Sequence, residues 1–264
     1  MPIGQFHDVT KLPFFDLLNA LLFTLSLTKW MKIMNLVERA ALFAKAAHMA
    51  IDQKRKYTFE PYHTHPYRVA DMVREHGGTD TMIAAAYLHD VVEDTSIGLS
   101  AIQKEFGLEV ATLVDWLSDM QTPADGNRAT RKQIECERLS HAPYEAKTIK
   151  LADLIDNTKT IVDHDLDFAT IYLQEKAHLL KALEGGHADL WAEANQLCHS
   201  GMEKVKVEKE LRRERTYRVY INGNRKETVY SEQEAWGVID KHPMGVGYEV
   251  RDADDKIRRE FLTY

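Results

Sequence analysis

From Leu36 to about Leu197 the apolar positions recur with a helical period, and after Gly201 they change to strand alternation. Leu36–Ile51 sets Val37, Ala40, Ala41, Ala44 and Ala47 along one face of a helix. Pro66–Glu75 and Thr81–Val92 follow, divided by His76-Gly77-Gly78, a helix stop. Two short amphipathic helices, Ser100–Phe106 and Leu108–Leu117, flank Gly107, and Gln121–Asn127 (QTPADGN) is a polar, turn-rich loop. Arg128–Ser140, Tyr144–Asp163, Phe168–Leu183 and Ala188–Cys198 complete an all-α bundle with no β-alternation of any length. Met202–Arg215 is a charged run, read as a solvated helix or a linker. Tyr217–Ile221 then alternates, Asn222-Gly223-Asn224 signals a hairpin turn, and Thr228–Tyr230 returns. Ser231 with Glu234 three residues on is a capping box for a helix to about Lys241, and Tyr248–Arg251 and Ile257–Phe261 read as two further strands. The expected fold is mainly α, with a small C-terminal ββαββ appendage over residues 216–264.

With 264 residues, 44% hydrophobic and 28% charged, the chain can bury one large core and carry a small addition. A formal net charge of −7 argues against a nucleic-acid polymer as partner, while leaving room for a small anionic ligand drawn by a metal and local cations. Two distant cysteines, Cys136 and Cys198, form neither a disulfide framework nor a thiolate zinc site and fit a reducing cytoplasm.

The N-terminal extension, residues 1–34, contains the apolar run Phe14–Leu27, interrupted by Asp16 and Asn19. It is shorter than the roughly 20 residues a spanning helix needs, and no small-residue cleavage site follows it. It reads as a docking or peripheral helix, or as residues ahead of a later start at Met31 or Met34, in preference to a membrane anchor or a secretory signal. An oligomer is compatible with this composition.

Ligand-type residues crowd into four segments of the helical region: His63-Thr64-His65-Pro66, His89-Asp90, Glu93-Asp94, and Asp153 with Asn157. His89 and Asp90 close an apolar stretch (MIAAAYL) that should be buried, and a buried ionised pair must be matched by a partner or a metal. On a continuing helix His89 and Glu93 share a face, as do Asp90 and Asp94, and Asp153 and Asn157 repeat the spacing elsewhere. A lone His-Asp dipeptide is weak evidence. The whole arrangement, an early His, a His-Asp pair and a late Asp, is the HD pattern for one divalent ion.

The stretches AHMAIDQKRK (47–56), EPYHTHPYRVA (60–70), AAAYLHDVVEDT (84–95), EFGLEVATLVDWLSD (105–119) and IKLADLIDNTKT (149–160) resemble the hydrolase domain of the Rel/SpoT alarmone enzymes. The likeness is greatest to their stand-alone form, the small alarmone hydrolases that include the metazoan SpoT homologue. It covers roughly residues 38–185, and LHDVVEDT separates this branch from other HD phosphatases. The resemblance implies an HD helical bundle over residues 35–200 that removes pyrophosphate from the ribose 3′ position of (p)ppGpp.

By the same resemblance, His65, His89, Asp90 and Asp153 fall on the metal ligands, and a set of two imidazoles and two carboxylates suits Mn²⁺. Glu93 and Asp94 fall on the acidic pair that orients and deprotonates the attacking water. Arg55 and Lys56 fall on the basic pair of the nucleotide pocket, Asn157 on a nucleotide-contacting amide and Tyr172 on a pocket aromatic. Arg131 and Lys132 lie near cations expected to meet the pyrophosphate. His63 is expected near the pocket mouth, and His48 in a supporting or structural role. The sequence departs from the family in YTF (57–59), which lacks the glycine common there, in Leu154 where a basic residue is frequent, and in Lys159 where Arg is frequent. The bifunctional relatives carry a synthetase after the hydrolase that needs more chain than follows here, so degradation alone is expected. Two other readings compete. One is an HD phosphatase acting on an adenosine alarmone or NADPH; the other is a nucleotide-sensing interaction module centred on residues 216–264.

Overall fold

The computed structural model describes residues 34–119, 121–214, 217–230, 232–239, 241, 247–252 and 257–262. The apolar run Phe14–Leu27 lies outside them. Among the described residues no helix is long and apolar enough to cross a membrane.

The described helices of the bundle are α1 (Leu36–Ala50), α2 (Thr64–Glu75), α3 (Asp80–Leu88), α4 (Val91–Asp94), α5 (Leu99–Phe106), α6 (Leu108–Leu117), α7 (Arg128–Ser140), α8 (Tyr144–His164), α9 (Leu166–Ala182) and α10 (Ala188–Glu214). A single 3₁₀ turn, Pro123–Asp125, interrupts the loop before α7. The chain starts its helices with side chains that satisfy the free amides of the first turn. Asn35 and Glu38 cap each other reciprocally at 2.9 and 3.0 Å, and Asn127 Oδ1 accepts from the Thr130 amide at 3.0 Å. The charged run after Gly201 continues α10 to Glu214.

Contacts divide these residues into two compact units. One runs to Asp156 and adds Ala182–Trp191; the other comprises Asn157–Lys181 and Ala192 onward. In the first unit α3 is the centre, packed by α1, α2 and α6, and every residue from Met82 to Leu88 is buried. Uniform apolarity along MIAAAYL is what such an enclosed helix requires.

One expectation changes here. The helix does not continue through His89 and Asp90: α3 stops at Leu88, and α4 restarts as a single turn. Asp90 sits at φ −96°, ψ −6°, between two helical segments. His89 Nδ1 bonds at 2.8 Å to the Ala86 carbonyl, the acceptor a continuing helix would offer the Asp90 amide. The amide of Asp94 still reaches the Asp90 carbonyl at 2.9 Å, so those two acids remain one turn apart.

In the second unit the appendage forms β1 (Tyr217–Ile221), β2 (Asn224–Val229), α11 (Glu232–Ile239), β3 (Gly247–Arg251) and β4 (Ile257–Leu262). The sheet is antiparallel throughout, in the order β2-β1-β3-β4. Asn222 and Gly223 take φ 51° and 75°, the paired positive values of a type I′ hairpin turn. Val219, Ile221, Val229 and Val250 on the sheet pack with Ala235, Val238 and Ile239 of α11.

Candidate metal centre and active site

Every group of the candidate metal centre belongs to the first unit. His65 enters from the start of α2, His89 and Asp90 from the break after α3, and Asp153 from α8. His65 Nε2 lies 3.2 Å from Asp153 Oδ1 and 3.5 Å from Asp90 Oδ2. His89 Nε2 lies 3.2 Å from Asp90 Oδ2 and 3.8 Å from Asp153 Oδ1. Bonds of about 2.1 Å to a shared ion place ligand atoms roughly 3.0 Å apart at right angles and up to about 4.2 Å apart at wider angles, so these separations suit one ion.

Both imidazoles are 1% exposed, and each spends Nδ1 on the protein. His65 Nδ1 donates to Asp156 Oδ2 at 2.6 Å, and His89 Nδ1 donates to the Ala86 carbonyl at 2.8 Å. Both Nε2 lone pairs therefore face the cluster, the tautomer a metal-binding histidine needs. His89 Nε2 is fully buried and makes no hydrogen bond.

Charge points the same way. Burial opposes ionisation of His65, yet its hydrogen bonds to Asp153 and Asp156 and the Asp90 charge hold it above the usual imidazole range. His89 behaves alike, with burial outweighed by Asp90 and Asp153. Burial works against Asp90 and Asp153 too, but the imidazoles keep both below the ordinary carboxylate range, and Lys150 adds to this at Asp153. The cluster thus draws positive charge into a closed space. A divalent cation would supply it, in competition with protons on the two imidazoles. The residues present fit a divalent metal ion.

Supporting groups hold the ligands in place. Asp156 is gripped by Arg68, Nε at 2.5 Å and Nη2 at 3.3 Å on opposite oxygens, and by Arg55 Nη2 at 3.5 Å. Burial raises the Asp156 carboxyl, but bonds from His65 and Arg68 overcome that and leave it at about 2. Tyr62 donates to Asp90 Oδ2 at 2.8 Å, and burial together with the Asp90 charge pushes its phenol far up, keeping it a donor. Lys150 Nζ pins Asp153 Oδ2 at 3.0 Å.

Glu93 and Asp94 stand beside this cluster on α4, both exposed. Glu93 accepts from the Asp119 amide. Loss of hydration pushes its carboxyl up to about 7, against the pull of Lys150 and that amide bond. Asp94 accepts from Gln53 Nε2 at 2.9 Å.

The remaining expected residues are placed as follows. Arg55 is 8% exposed, with its guanidinium on Asp156 and 5.9 Å from the Tyr62 ring centre. Lys56 is exposed and lies 3.0 Å from the Tyr57 hydroxyl. Arg131 donates to the Gly126 carbonyl at 2.9 Å. Lys132 sits between Asp119, at 3.1 Å, and Glu135, at 2.5 Å; burial opposes its charge, but the two carboxylates raise it further. Asn157 and Tyr172 belong to the second unit, where Tyr172 is buried with its hydroxyl 3.4 Å from Thr158 Oγ1.

Sequence reasoning passed over Gln53, Tyr62, Arg68, Asp119, Lys150 and Asp156. All six lie inside the stretches that carried the family resemblance, and that is the signal that could have found them.

This donor set on this bundle is that of a metal-dependent HD protein. The HD domain family model matches residues 40–183, more than half of the chain, and the chain belongs to that family. Among particular proteins, it is 36% identical to the Xenopus tropicalis guanosine-3′,5′-bis(diphosphate) 3′-pyrophosphohydrolase MESH1 over 46% of this chain and 70% of that one. It is 33% identical to the Mus musculus MESH1 over 58% of this chain and 88% of that protein. A probable guanosine-3′,5′-bis(diphosphate) 3′-pyrophosphohydrolase of Synechocystis sp. is 38% identical over 48% of this chain, which spans only 17% of that protein's length. The solved structure of a metazoan SpoT orthologue that hydrolyses ppGpp shares the fold, with a TM-score of 0.58 and 24% identity over 63% of this chain and 96% of that one.

Proposed function

We propose that the protein hydrolyses the 3′-pyrophosphate of guanosine alarmones, taking ppGpp and pppGpp to GDP and GTP with release of pyrophosphate. One divalent ion, Mn²⁺ by preference, is held by His65, His89, Asp90 and Asp153. The observation that carries this reading is the convergence of two buried Nε2 atoms on Asp90 and Asp153, at 3.2–3.8 Å, with each Nδ1 already engaged. The activity named for the MESH1 relatives supports the choice of substrate. A set of carboxylates and imidazoles without thiolate supports Mn²⁺ over a thiolate-bound structural zinc. The net charge of −7 supports a small anionic nucleotide over a nucleic-acid polymer, and two cysteines far apart in the sequence, with no CxxC pattern, support a cytoplasmic setting.

When bound, the ion polarises the phosphoryl oxygen and acidifies the attacking water. Glu93 and Asp94 orient that water and take its proton. The water oxygen bonds to the phosphorus attached to the ribose 3′ oxygen. The bond from that phosphorus to the 3′ oxygen breaks, and the 3′ oxygen leaves with the proton that the carboxylate took from the water. Arg55 and Lys56 hold the nucleotide, while Arg131 and Lys132 serve the phosphates. Anchoring those groups turns binding energy into alignment.

The test is hydrolysis in ¹⁸O-water with Mn²⁺, beside an adenosine alarmone and NADPH. Label is expected in pyrophosphate and none in GDP, ppGpp should be turned over fastest, and His89→Ala should be inert with lowered metal content. Orthophosphate as the first product, or faster turnover of either competitor, overturns the reading.

A further inference from the structure

Behind Asp94 stands a chain of side chains whose hydrogen bonds have only one consistent direction. An ionised carboxylate can only accept, so the group of Gln53 that meets Asp94 at 2.9 Å is its NH₂ end. The carbonyl end of the same amide then faces His48, 2.7 Å from Nδ1, and the proton on that contact must belong to His48. His48 lies in the last turn of α1 and is 1% exposed. Its Nε2 is buried without a hydrogen bond, so the neutral Nδ1–H tautomer leaves no unpaired donor. The other tautomer would bury an unmatched N–H and set two acceptors against each other. The His48 ring also packs on Tyr62, with centroids 4.9 Å apart and planes at 43°. Tyr62 in turn donates to Asp90.

We infer that Gln53 and His48 are positioning residues for this site, with His48 the common anchor. Its Nδ1 decides which end of the Gln53 amide meets Asp94, and its ring backs the tyrosine that holds Asp90. Asp94 is exposed and on a single-turn helix, so its own element does little to restrict its rotamer. The Gln53 amide, fixed from behind by a buried ring, supplies that restriction across 41 residues of sequence. This rests on the role proposed above for Asp94.

Gln53→Leu removes the amide with little change of size. It should lower kcat about 10–100-fold, as expected for a misaligned acid–base group, with KM and metal content within about threefold of native. His48→Leu should fall in the same way, and His48→Asn, which returns a donor near the Nδ1 position, should recover most of that loss. The Gln53→Leu/His48→Leu pair should be no slower than the slower single variant, because both act on one chain. A kcat for Gln53→Leu within threefold of native, or a loss lying wholly in KM, overturns the inference.

A second readout needs no substrate. The Gln53 side-chain amide protons, assigned in NMR spectra by their absence from Gln53→Leu, should exchange with water at least tenfold slower than those of exposed glutamines. Asp94→Ala and His48→Leu should each abolish the protection, and protection unchanged in His48→Leu overturns the anchoring role. Failure of the underlying reading looks different: Asp94→Asn would then keep native kcat, or the native protein would not hydrolyse ppGpp. If Asp94→Asn is slow but Gln53→Leu is native, the positioning inference alone falls.

Discussion

At the scale of single residues, the site sets two kinds of carboxylate side by side. Asp90, Asp153 and Asp156 are held below the usual carboxylate range by imidazolium, ammonium or guanidinium partners that outweigh burial. Glu93 is pushed the other way, to about 7, because loss of hydration exceeds the help it receives from Lys150 and the Asp119 amide. Such a split lets neighbouring acids do different work. Acting as a base, Glu93 must lose its proton, so kcat/KM should rise with pH and level off above a limb at or below about 7, lowered further by the charge of a bound ion. Glu93→Gln should lack that limb and run about 10²–10⁴-fold slower, while still binding metal. Stability carries the opposite sign. The folded protein holds this proton more tightly than the unfolded chain does, so the contribution favours folding in acid and is lost as pH rises through about 7. In metal-free protein, Glu93→Gln should therefore gain stability on native between pH about 5 and 8 in denaturant titrations. An unchanged pH–rate profile in Glu93→Gln would remove Glu93 from the chemistry.

At the scale of elements, the stop between α2 and α3 shows how two adjacent glycines do different jobs. Gly77 has φ 76°, a left-handed conformation that costs other residues about 1–2 kcal/mol, less for Asn. Gly78 has ordinary φ, but a Cβ there would stand 2.4 Å from Val73 Cγ1 and 2.8 Å from the Val73 carbonyl oxygen. Val73 is fully buried and cannot yield. Gly77→Asn should thus be nearly neutral, whereas Gly78→Ala and Gly78→Asn should each destabilise by about 1–3 kcal/mol, the usual cost of overpacking. Thermal melts separate the two cases, and equal losses at both positions would refute the distinction. Pattern alone located this stop, and it also located the hairpin at Asn222-Gly223. It could not show that α3 ends before His89, where the His89 ring meets the Ala86 carbonyl.

At the scale of the whole molecule, the metal centre concentrates charge that the fold must balance. The carboxylates raise the pKa values of His65 and His89, so protons compete with a cation for the two imidazoles. Adding Mn²⁺ to chelated protein should release protons and raise the melting temperature, by about 2.7 kcal/mol of added stability at a hundredfold excess over Kd. Asp153→Ala should reduce both effects together. Proton release without stabilisation would mean that metal binds elsewhere. The fold also draws on distant parts of the chain for each ligand's support: Asp156 lies 91 residues from the His65 it orients, and Tyr62 lies 28 from Asp90.

Taken by itself, the sequence determined the elements and the chemical inventory. Periodicity identified the bundle and the ββαββ appendage, because which face of a helix or strand must be buried is a local property. His89 and Asp90 at the end of an apolar helix demanded a partner, and the family resemblance added His65 and Asp153 to the donor set. Tertiary structure alone decided the rest. Lys132 is held between Asp119 and Glu135, and Arg55 against Asp156, partners that no local pattern names. The tautomers of His65 and His89 were settled by an aspartate on α8 and by a carbonyl within α3. The physical reason is that a side chain's charge, proton and direction are set by the atoms within a few ångströms of it, and only folding chooses which distant residues those are.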